Sequence, residues 1–86
     1  MPEVSRFFGI VIAIYFNDHP PSHFHAKYEE HKAKIDIKTG AILMGSLPPR
    51  ARALVEEWRA LHTVALESAW TKIRDRQPFD KIEPLE

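Results

Sequence analysis

Cysteine is absent from all 86 residues, which excludes disulfides, thiolate metal ligands and cysteine nucleophiles together. An excess of one charge is also missing, since twelve basic and twelve acidic side chains cancel to zero. No overall field therefore draws the chain to nucleic acid or to an anionic membrane, and only a local patch can bind either. Long hydrophobic runs are lacking too. The longest, Phe7 to Phe16, is about half the roughly 20 residues of a membrane span, and Gly9 interrupts it. No small-residue cleavage site follows the opening Met-Pro-Glu, so an untargeted, cytoplasmic protein with no membrane contact is expected. What is present is an ordinary globular composition, 44% apolar and 28% charged, sized for a single domain over residues 1–86.

The first half reads as a β meander over residues 1–46. Residues 10–16 are dense in β-branched and aromatic side chains and apolar on both faces, with Val11, Ala13 and Tyr15 on one of them. Asn17 to Ser22, with two prolines, ends that strand. A second strand is predicted over His23 to Tyr28, with His23, His25 and Lys27 on one face. A third, Lys32 to Ile37, points Lys32, Lys34 and Asp36 outward, and a short fourth covers Ala41 to Gly45. Links this short require antiparallel pairing. Residues 47–77 read as helical: nothing breaks the stretch from Pro49 to Arg76, and Pro78 stops it. Ala51, Leu54, Val55, Trp58, Leu61, Ala65, Leu66, Ala69 and Ile73 share one arc, with Trp70 at its edge, which favours one long helix, with a bend or break near His62 and Thr63 as the alternative. Residues 78–86 form a tail expected to dock through Phe79, Ile82 and Leu85. The expected fold is α+β: an antiparallel sheet of three to four strands followed by one long or kinked C-terminal helix.

Several segments resemble a small bacterial family known as domain of unknown function 4160. They are Ser5-Arg6-Phe7-Phe8-Gly9-Ile10, Asp18 to Ala26, Gly45-Ser46-Leu47-Pro48, Val55-Glu56-Glu57-Trp58 and Ile82-Glu83-Pro84-Leu85. Two departures stand out: Ser22 separates the proline pair from His23, and Glu29-Glu30 stands where the family has glycines. The resemblance implies no established activity; it implies an association with toxin–antitoxin-like gene pairs.

The concentrated chemical signal is histidine. His23 and His25, two apart on a strand, project from one face and can grip one metal ion if their rings lean together. His19 can supply a third ligand, and Asp18 and His62 are possible additional ones. Three protein ligands and an open fourth position suit a hydrolytic divalent transition metal such as zinc. The same histidines without metal would serve as acid–base groups, and as a solvated strand face they would serve no chemistry. His62 falls mid-arc on the helix, where a hydrogen-bonded core histidine is the plain reading and a reach to the cluster the sharper one.

One helix covers one face of a sheet, so Val11, Ala13 and Tyr15 call for cover from the tail, a second copy or another protein. The function expected from these features is a small interaction module, homodimeric and working with a partner protein in a toxin–antitoxin-like pair. The alternative is a histidine-centred, metal-dependent hydrolase or nuclease acting on phosphoesters. Direct nucleic-acid binding ranks behind both, because net charge is zero and the basic residues look dispersed.

Overall fold

The structure, a computed structural model, describes residues 2–86. Five strands form one antiparallel meander in the order β1 to β5: β1 (Glu3–Phe7), β2 (Ile10–Ala13), β3 (His23–Tyr28), β4 (His31–Asp36) and β5 (Ile42–Gly45). Two helices follow, α1 (Pro49–Leu61) and α2 (Thr63–Arg74). The α+β class and antiparallel sheet agree with the sequence reading. The strand number and the helix number do not.

The additional strand is β1, joined to β2 by the two residues Phe8 and Gly9. Both have positive φ, 50° and 78°, the backbone that a two-residue hairpin of right-handed twist requires. Phe7 pairs with Ile10 across this turn, so the run from Phe7 to Phe16 is folded back on itself. An Asn-Gly or Asp-Gly pair would have signalled the turn; a phenylalanine in its first position disguises it.

The helical stretch breaks at His62. Continuous from Pro49 to Arg74, it would reach about 39 Å at 1.5 Å per residue, beyond the 33 Å longest extent of the molecule. The Thr63 hydroxyl donates to the Arg59 carbonyl at 2.9 Å, and the His62 N–H is shared between the carbonyls of Trp58 and Arg59. The break changes the helical phase. Leu61 is 67% exposed and Ala65 is exposed as well, whereas Leu66, Ala69, Trp70 and Ile73 are buried. Ala65 therefore leaves the apolar arc that an unbroken helix would have given it, while Leu61, ahead of the break, stands at the edge of the α1 arc.

The core lies between the helices and one sheet face. Trp58 sits at its centre, 5.2 Å from the ring of Phe7 and 5.9 Å from that of Phe24. Ile12, Ala26, Ala33 and Ile35 pack with them from the strands, and Val55, Leu66 and Ile73 from the helices. The tail lies against the β1 edge: the Ile82 N–H donates to the Val4 carbonyl at 2.8 Å, and Ile82 is buried. The opposite sheet face carries Arg6, Val11, Lys27, Lys32, Lys34 and His25. On it Ala13 is buried and Val11 half-buried, so the apolar strip is narrower than the alternation alone implied. No helix among the described residues is long and apolar enough to cross a membrane.

Candidate metal centre

At one end of the sheet, the β2–β3 connection folds over the start of β3. Asp18 accepts the Tyr15 N–H on Oδ2 at 3.2 Å, which closes residues 15–18 into a turn and aims the carboxylate at β3. The same oxygen lies 3.2 Å from His25 Nε2 and 3.3 Å from His23 Nε2. One ligand atom from each of Asp18, His23 and His25 falls within 4.8 Å of the other two. For comparison, bonds of ~2.1 Å around a tetrahedral ion put neighbouring ligand atoms about 3.4 Å apart.

The two imidazoles differ in what holds them. His23 is 3% exposed and packs against Trp70 of α2, ring centroids 5.0 Å apart. Its Nδ1 lies 2.8 Å from the Pro21 carbonyl oxygen, an acceptor, so Nδ1 carries the proton and donates it there. In the neutral ring Nε2 is then a lone pair. Buried, without a hydrogen bond and facing a carboxylate oxygen, that nitrogen is satisfied by a cation shared between the two atoms, a proton or a metal ion. A backbone carbonyl fixing the tautomer from behind is the usual support for a metal-ligating histidine. His25 is half-buried, with the Tyr15 ring edge-on at 4.4 Å. Burial lowers its pKa below the ordinary imidazole value, against the pull of Asp18, so the neutral form that ligation needs is favoured. The two histidine rings lie 5.3 Å apart.

Of the residues singled out in the sequence, the fold gathers His23, His25 and Asp18. His19 stands exposed on the rim and is not in the group. His62 is excluded as well: half-buried at the α1–α2 junction, its ring lies tilted against Trp58 at 5.6 Å and does not reach the sheet cluster. Three contributors had no sequence signal: the Pro21 carbonyl, the Tyr15 N–H and Trp70, which lay only at the margin of the helical arc. A cleft of about 350 Å³ opens in front of the group, bordered by Asp18, His19, His23, Lys34 and Met44. The donor set of two histidines and one carboxylate suits zinc, iron(II) or manganese(II).

The sequence matches the family described as a domain of unknown function (DUF4160) over residues 9–71. The chain belongs to this family. The matched span contains the whole Asp18–His23–His25 group and both helices up to Thr71, so the site lies within the DUF4160 core. No curated protein matches the chain, and no solved structure matches it.

Proposed function

We propose that this DUF4160 protein binds a divalent transition metal through Asp18, His23 and His25, and that the centre serves hydrolysis of a phosphoester. The observation that carries the reading is the buried His23 Nε2, without a hydrogen bond and 3.3 Å from a carboxylate oxygen. Held by these three residues beside the cleft, such an ion would supply an activated water and polarise a phosphoryl oxygen. In the hydrolysis the water oxygen bonds to phosphorus, the ester P–O bond breaks, and the water's proton passes through solvent to the departing oxygen. Lys34 borders the cleft as a cation for the phosphoryl charge.

Zinc titration of tag-free protein tests this by calorimetry and elemental analysis. One equivalent bound by the wild type and lost in Asp18→Asn and His25→Gln supports it. A protein that takes up no zinc, manganese or iron(II) overturns it.

A second reading, the dimeric interaction module of a toxin–antitoxin-like pair, draws support from β5. This strand forms an open sheet edge and exposes Leu43 and Met44, the latter by 66%. Light scattering that gives only a monomer, together with no co-purifying partner, argues against it.

A further inference from the structure

The sheet face opposite the helices carries a charge arrangement that costs stability. Lys27 of β3 and Lys32 of β4 are directly paired across the strands, and both are exposed. Like charges in this position repel. Lys34 is two residues along β4 from Lys32 and pairs with His25, the metal-ligand candidate. None of the three lysines has an ion-pair partner among the described residues, although the chain has as many acids as bases. Arg6 on the same face is held by Glu3 at 2.8 Å, and the Asp36 carboxylate is occupied by the N–H groups of Lys38 and Thr39. The two rows are about 6.6 Å apart, two strand rises, and lead toward the cleft that Lys34 borders.

We propose that the Lys27–Lys32–Lys34 face is a platform for single-stranded nucleic acid that directs a phosphodiester into the Asp18–His23–His25 cleft. The platform rests on charge alone, whereas the delivery step rests on the metal-centre reading. Repelling lysines on adjacent strands are relieved by a polyanion that lies along them and releases its counterions. The cleft, at about 350 Å³, admits a nucleotide-sized unit and no duplex, which selects a single strand. Contacts of lysines with the backbone read no base, so binding is independent of sequence.

The test is fluorescence anisotropy with a labelled 12-nucleotide RNA and its DNA equivalent, on the full chain without a tag. EDTA is present, so that metal plays no part in binding. Binding is expected at 50 mM salt, with log K falling on log salt by a slope of about −2 for three lysines. In Lys27→Gln/Lys32→Gln affinity falls about tenfold and the slope drops to about −0.7. The double variant folds at least as well as the wild type, because it removes a like-charge pair. No oligonucleotide binding at 50 mM salt, or equal binding by the double variant, overturns the platform. So does tighter binding of an oligoglutamate of equal charge, which would make the partner an acidic protein. Zinc uptake is scored separately. Zinc bound without oligonucleotide binding removes the platform and keeps the metal centre; oligonucleotide binding without zinc keeps the platform and removes the delivery step.

Discussion

The Trp58 indole N–H donates to the carbonyl of Glu83, 2.8 Å away and 25 residues on. One bond thereby ties the centre of the core to the C-terminal tail. The Ile82 N–H bond to Val4 makes a second tie one residue earlier, so the tail bridges the first strand and the first helix.

Trp58→Phe removes the indole donor and strands the Glu83 carbonyl while keeping an aromatic ring in the core. A loss of about 1–3 kcal/mol is expected in urea denaturation, together with faster amide exchange at Ile82.

Gly45 has φ of +80°, and a Cβ there would collide with the Lys32 carbonyl. Gly45→Ala is therefore expected to lower stability by about 1–3 kcal/mol and to loosen β5 from β4. Chemical denaturation gives the first effect and amide exchange across Ala33 and Gly45 the second.

Glu29, in the β3–β4 turn, adopts φ of +53°, and its side chain is exposed. Glu29→Gly relieves that backbone and is expected to raise stability by about 0.5–1 kcal/mol, read as a higher urea midpoint with unchanged slope.

Helix packing separates Leu61 from Leu66. Leu61→Lys, at a site 67% exposed, should change stability by less than about 0.5 kcal/mol, while Leu66→Ala should cost about 2–5 kcal/mol. Equal effects would place Leu61 in the core beside Leu66.

Zinc at one hundred times its dissociation constant should stabilise the wild type by about 2.7 kcal/mol, equivalent to a rise in Tm of roughly 10–20 °C. The rise should vanish in Asp18→Asn and reverse on adding EDTA to the wild type.

The site was half legible. His23 and His25 share a face because strands alternate, and that follows from the spacing of two within a β-rich segment. Choosing Asp18 over His19 required the turn closed by the Tyr15 N–H, which turns one of two adjacent side chains inward and leaves the other in solvent. Trp70 closes over His23 only because the helix breaks at His62, and the arc of an unbroken helix places it at the margin.

The sequence by itself determined the α+β class, the antiparallel order and the bounds of β3, because alternation, proline breaks and short links are local properties. The Phe8–Gly9 hairpin, the change of helical phase and the Asp18 contact depended on tertiary structure. Each satisfies a packing condition that local pattern does not carry: β1 needs β2 and the distant tail at its edges, and the helices must fit within a 33 Å body. The Asp18 carboxylate, for its part, needs two imidazoles that reach it only after β3 is seated in the sheet.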